Sequence, residues 1–304
     1  MDGVEVVSST AAAARLRDRL TTASMVGPAL LLFVVMLVVP VGLSIYLSLT
    51  DWDGYSANPA LVGLRNYLDL ARRDEAVRAG WVTLVIAGVG TVLLSVLGLG
   101  FALLVNAASR LNAFFRVVLF YPHVLSALVV GFLWSAVLGT SGVVNGFLTT
   151  HGAEVLPFLS NPTWALATLI GVLVWAGFGV NVVLYLAGLQ TVSRELLEAA
   201  RIDGASPRQT FLNVTLPALA PVVTVNLVLS LVSLLKTYDL VVSLTGGGPA
   251  GSTQTAAYLI LWDSFHNNAL GFGSAQSVVL MVVTAGLALT VARLRSRADQ
   301  GVKS

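Results

Sequence analysis

Long apolar runs separated by short polar stretches make up most of this chain. Six runs approach or exceed the roughly 20 mostly apolar residues that a bilayer-spanning helix needs: 25–49, 81–105, 115–138, 164–189, 218–235 and 275–292. The pattern predicts an all-α integral membrane fold with six transmembrane helices. Residues 1–24 precede the first helix, 25–49, and 50–79 form a loop; a five-helix core spans 80–293, and 294–304 is a tail. Arg15, Arg17 and Arg19 precede the first run in the manner of a secretory signal. That run is far longer than a signal's apolar core and no small-residue cleavage pattern follows it, so it is expected to be retained.

Composition sharpens this picture. The 304 residues are 56% hydrophobic and 11% charged, outside the range of ordinary soluble domains. Cysteine is absent, which excludes disulfide and thiolate chemistry, and His123, His151 and His266 are too scattered to form a metal motif. No metal site and no nucleic-acid partner are expected; the lipid bilayer is the environment implied.

Orientation follows from where Lys and Arg fall. With the N-terminus inside, twelve basic residues lie in cytoplasmic segments, and five lie outside: Arg65, Arg72, Arg73, Arg78 and Lys236. Both termini are therefore expected in the cytoplasm of a multi-pass cell-membrane protein. The stretch of about 25 residues after the third run lacks basic residues, as an external loop should.

The same bias makes the linker over 190–217 cytoplasmic, and its residues carry strong local signals. Ser193 can cap a short helix with Glu195 in its first turn. Gly204 suits a left-handed terminating position. Ser206, Pro207 and Gln209 then read as N-cap, N1 and N3 of a capping box, and Pro217 and Pro221 turn the chain back toward the membrane.

"EAARIDGASPRQTFLNVTLP", residues 198–217, resembles the EAA motif of ABC importer permeases. Glu198, Ala199, Ala200, Gly204, Leu216 and Pro217 match in register, while Val214 replaces Ile and Ser193 stands where that family often has Pro. "DGAS", beginning at Asp203, is similar to the carbohydrate branch, as are "LVGLRNYLDL" (61–70) and the Trp134, Gly142 and Asn145 pattern. "TYDLVVSLTGGGPAGSTQT" (237–255) resembles the maltose-type first permease subunit. The resemblance implies a type I ABC importer permease fold with a cytoplasmic coupling helix between the fourth and fifth transmembrane helices. In that family this helix docks into a groove of the ATPase. The implied partners are a second permease forming a heterodimer, two cytoplasmic ATPase subunits and an extracytoplasmic sugar-binding protein.

"GGGPAGST" (246–253) comes close to a phosphate-cradling spacing but lacks the required Lys and lies on the expected external side. It reads as a tight turn, with Ser252 or Thr253 capping a helix that begins near Gln254. No complete nucleotide motif occurs elsewhere, so ATP and Mg are expected to be used by the partner ATPase, with no cofactor bound directly and no catalytic residue here.

Two polar faces compete for the solute. Asn226, Ser230, Ser233 and Thr237 share one side of the fifth helix; such a stripe marks either a solute path or polar glue between helices. On the fourth helix Trp175, Phe178, Asn181 and Tyr185 recur at three- or four-residue steps, as either a sugar-stacking face or ordinary aromatic packing. His123 reads as structural, and Lys236 and Asp239 could pair locally. A secondary transporter would need ion ligands or inverted repeats, and a membrane enzyme an oriented nucleophile. Ser126 near His123 lacks an orienting acid.

Overall fold

The computed structural model describes residues 24–301, with side chains through residue 294. Arg15, Arg17, Arg19 and Lys303, and the side chains of Arg295 and Arg297, lie outside the described residues.

The described chain is helical, with one isolated bridge between Thr50 and Leu61. Helix α1 spans Ser24–Leu47, with a π turn at Val34–Val38. It is followed by α2 (Arg65–Arg72), α3 (Asp74–Leu104), α4 (Arg110–Val124) and α5 (Ala127–Leu138). Next come α6 (Val143–Thr150), α7 (Pro162–Gln190) and α8 (Arg194–Ile202). Helix α9 is Pro207–Ala218 and α10 Ala220–Leu235. Then α11 (Asp239–Leu244), α12 (Ala256–Leu261) with a π turn at Trp262–His266, and α13 (Leu270–Gly301) complete the order.

Five stretches are long and apolar enough to cross a membrane, and the bent α9–α10 pair makes six. The core forms where α3 lies against α7 and α10, with α4 on α7 and α5 on α11. Ile86, Leu169, Leu235, Val241 and Leu259 are fully enclosed there. By contrast, none of the spanning window of α1 is buried within the chain, so its apolar surface is left for lipid or another subunit.

The expected third span, 115–138, is two helices. Leu125 and Ser126 adopt extended backbone between α4 and α5. Pro122 in the last turn of α4 removes a ladder donor and weakens continuation. The apolar stretch Ala127–Thr150 then runs through α5 and α6, so part of the expected external loop is helical. Asn145 fastens this region: its Nδ2 donates to the carbonyls of Gly139 and Leu156, and its Oδ1 accepts from Leu156 N. Gly142 is required by contact, because a Cβ there would sit 2.6 Å from the Val137 carbonyl oxygen.

The fifth predicted span, 218–235, is essentially α10, and it meets α9 at a 66° bend. Pro217 and Pro221 flank the bend, and each lacks the donor that would continue the ladder. At the other end of α10, Lys236 and Asp239 form no ion pair among the described residues. The glycine-rich turn also differs from expectation in its cap. Thr255, not Ser252 or Thr253, accepts from Tyr258 N to start α12. Thr253 Oγ1 instead turns inward to donate to the Gly248 carbonyl.

Candidate functional site

The linker over 190–217 folds from short-range signals. Ser193 Oγ accepts from Leu196 N at 3.5 Å, and Glu195 occupies the first turn of α8. Gly204 stops the helix at φ +78°, a left-handed conformation that costs a residue with a Cβ about 1–2 kcal/mol. Ala205 N reaches the Ala200 carbonyl and Gly204 N the Arg201 carbonyl, which is the paired closure that satisfies the last turn. Ser206 and Gln209 then exchange capping bonds with Pro207 at N1, and a π turn at Phe211–Thr215 leads into the bend.

Glu198, Ala199, Asp203 and Gly204 are exposed, while Ala200, Leu216 and Pro217 are half-buried. Ile202 was not singled out by spacing, yet it is 86% exposed, and Leu196 is 55% exposed. The signal in the sequence was an apolar side chain between Arg201 and Asp203, where a solvated connector has no use for one. Leu196 and Ile202 are thus apolar side chains of α8 that this chain leaves uncovered.

A separate concavity of about 350 Å³ lies deeper, between α4, α5, α7 and α10. Asn181, Asn226, Ser230, Ser233 and Thr237 all line it, as does His123. No Asp, Glu, Lys or Arg contributes to its lining. From Asn226 to Ser233 the stripe extends about 10 Å along α10 at 1.5 Å per residue, and Thr237 follows in non-helical chain past the helix end at Leu235. Its lower half also joins two helices: Ser230 Oγ donates to Asn181 Oδ1 at 3.0 Å, and Asn226 Nδ2 to the Asn181 carbonyl at 3.5 Å. Asn226 Oδ1 has no partner among the described residues. Ser233 is exposed.

The structure does not bring the other three α7 residues to this concavity. Trp175 packs edge-on against Trp134, with ring centroids 5.3 Å apart. Tyr185 is fully buried and shares a hydrogen bond with Ser95 Oγ at 2.5 Å. Phe178 packs on Phe101.

One cluster escaped the sequence reading altogether. Asp263 is 1% exposed; its Oδ2 accepts from Arg73 Nη1 and from Gln276 Nε2, each at 2.7 Å, and its Oδ1 accepts from Asn267 Nδ2 at 2.8 Å. Partial burial pulls the Arg73 pKa down, but bonds and charges from Glu75 and Asp263 outweigh this and hold it above the usual arginine value. The cluster ties the start of α3 to α12 and α13.

Comparison with known proteins gives a consistent result. Residues 94–302 match the family described as binding-protein-dependent transport system inner membrane component. The chain is 32% identical to the probable ABC transporter permease protein YesP of Bacillus subtilis, covering 92% of each chain. It is 33% identical to the multiple sugar-binding transport system permease protein MsmF of Streptococcus mutans, over 84% of this chain and 88% of that one. It is 30% identical to the sn-glycerol-3-phosphate transport system permease protein UgpA of Agrobacterium fabrum, over 89% and 92%. Among solved structures, a chain of the bacterial alginate ABC transporter, in complex with its alginate pentasaccharide-bound periplasmic protein, superposes with TM-score 0.81. That match has 22% identity and covers 94% of this chain and 97% of that one.

Proposed function

This chain belongs to the family of binding-protein-dependent transport system inner membrane components, and on that premise we propose that the concavity bearing its polar stripe passes an uncharged, hydroxyl-rich solute of the sugar class. The observation carrying this reading is the lining itself. Asn181, Ser230, Ser233 and Thr237 offer neutral amide and hydroxyl groups, with no Asp, Glu, Lys or Arg to demand a charged ligand. Amides and hydroxyls can each donate and accept, as polyol hydroxyls do. Relatives named for sugars support the class.

In this reading α8 is the contact through which a separate ATPase drives the permease, with the exposed Glu198, Ala199, Asp203 and Gly204 and the half-buried Ala200 in its docking surface. Leu216 and Pro217, at the bend, carry the motion of α8 into α10, where the stripe lies. A second permease completes the path, an extracytoplasmic binding protein delivers the solute, and both termini face the cytoplasm. The ATPase supplies ATP and Mg chemistry.

Ser233→Leu tests the path directly, because Ser233 is exposed in the concavity and holds no helix in place. The assembled transporter carrying it is expected to keep its ATPase and its membrane level while solute uptake falls. Uptake unchanged in rate and affinity removes the stripe from the path.

A further inference from the structure

Another concavity, of about 480 Å³, lies between α10, α12 and α13. Val232 and Lys236, Ile260, and Met281, Thr284 and Ala288 are part of its lining, and Lys236 is the one ionisable member among the described residues. Two helices give its depth. A Cβ at Gly90 would lie 2.7 Å from Leu234 Cδ1, so the end of α10 reaches the middle of α3, about 24 Å from its Asp74 end and about 21 Å from its Leu104 end at 1.5 Å per residue. On α13 the lining runs from Ser277 to Ala288, centred in the apolar stretch Leu270–Leu294. The hydrocarbon core of a bilayer is about 30 Å thick, and Lys236, one residue past α10, lies within it, deeper than the external segment expected for it.

Lys236 is exposed, and its ammonium has neither an ion pair nor a hydrogen bond among the described residues. The end of α10 does not need it: the Lys236 backbone N–H closes the helix on the Leu234 and Ser233 carbonyls. At 100° per residue Lys236 lies about 60° around α10 from Ser233. With Val225 and Leu229 these two residues form one exposed ridge. Leu229 and Ser233 line the concavity bearing the polar stripe, and Lys236 lines this one, so the ridge runs between the two.

We infer that the second permease packs on this ridge and concavity, and that an Asp or Glu side chain of that subunit pairs with Lys236 inside the membrane. An ionised side chain at this depth pairs with an opposite charge or faces protein or water rather than lipid tails. A spanning helix of another permease can bring a carboxylate to the same level. Ala257, Ser277, Ala285 and Ala288, also in the lining, are small enough to let that helix approach closely. The inference rests on the reading that a second permease completes the solute path, and adds where that subunit sits and which charge holds it.

The test places the photocrosslinker p-benzoylphenylalanine at Met281, which is 41% exposed, in the transporter assembled in membranes, and identifies cross-linked peptides by mass spectrometry. The expected product joins Met281 to a spanning segment of the second permease that carries Asp or Glu, in higher yield than the same probe gives at the exposed Val92 of α3. Lys236→Met, which strands the carboxylate, is expected to lower affinity for the second permease about thirtyfold, read as its loss on purification; Lys236→Arg should retain it. Products formed only with lipid or with another copy of this chain, or a partner segment without Asp or Glu, overturn the inference. So does full recovery of the second permease with Lys236→Met, and the cross-link decides alone if that variant does not reach the membrane. Because the chain has no cysteine, Lys236→Cys gives an independent arm: labelling by a membrane-impermeant maleimide in the assembled transporter would put this side chain in water and overturn the charge pair. An unaltered chain that recovers no second permease takes the reading of the path down as well, whereas recovery without the Met281 cross-link removes only the inference.

Discussion

Ser230 Oγ donates to Asn181 Oδ1 at 3.0 Å, a side-chain bond between α10 and α7 at the wall of the concavity. The Asn181 amide nitrogen is itself anchored to the Gly177 carbonyl one turn earlier, so the acceptor is held in place. Ser230→Ala is expected to lower unfolding free energy by about 1 kcal/mol. Combined with Asn181→Leu in a double-mutant cycle, the coupling should come out near 0.6 kcal/mol, the average for such bonds in a membrane protein. Denaturation of the purified permease in mixed micelles measures both. Zero coupling would mean that the Ser230–Asn181 bond does not hold the helices together.

The Asp263 cluster makes a larger prediction. Arg73→Met leaves a carboxylate buried beside Gln276 and Asn267 without its cation, which costs on the order of 3 kcal/mol. Asp263→Asn in the same chain removes the stranded charge and is expected to restore much of the Tm. The raised Arg73 pKa means that this stabilisation is fully present below the ordinary arginine value and fades only as pH rises through the elevated one. The Tm deficit of Arg73→Met should accordingly be flat across neutral pH. A deficit that changed there would assign the effect to another group.

What was legible in the sequence depended on how far apart the interacting residues are. Ser193, Gly204, Ser206 and Gln209 act on neighbours within a few positions, so their caps could be read directly. Arg73 and Asp263 lie 190 residues apart, and no periodicity connects them. The α7 face was an intermediate case. At about 100° per residue, Trp175, Phe178, Asn181 and Tyr185 fan over an arc of roughly 120°, wide enough to meet three different neighbours. Trp175 therefore goes to Trp134, Tyr185 to Ser95, and Asn181 to α10. Asn66 in "LVGLRNYLDL" was visible as part of a resemblance, but its physical reason was not: its Nδ2 bridges the carbonyls of Ser48 and Thr50.

Close helix contact gives a prediction with its own control. A Cβ at Gly179 would lie 2.3 Å from the Leu119 carbonyl oxygen, against backbone that cannot yield, whereas one at Gly171 would meet nothing within 4 Å. Both glycines are on α7, so helix propensity favours alanine equally at each. Gly179→Ala is expected to force α4 away from α7 at a cost of about 1–3 kcal/mol, the usual penalty for overpacking. Gly171→Ala should be neutral or slightly stabilising. Thermal unfolding of the two variants compares them, and equal Tm values would contradict the close approach of α4 and α7.

Ile202 gives the most discriminating prediction for α8. It ends the helix 86% exposed, with Asp203 and the left-handed Gly204 immediately after it. A substitution at such a surface position changes the permease's own stability by only about 0.5 kcal/mol. If α8 seats in the ATPase, however, Ile202→Glu places a charge in a contact that should be desolvated, a loss of hot-spot size at about 2 kcal/mol. The variant is expected to reach the membrane at the normal level, bind solute-loaded binding protein normally, and lose ATPase on purification. Gly204→Ala should show a smaller version of the same defect, because strain at φ +78° disturbs the helix end without altering the contacting side chain. An Ile202→Glu permease that copurifies with a full complement of ATPase would remove α8 from the docking surface.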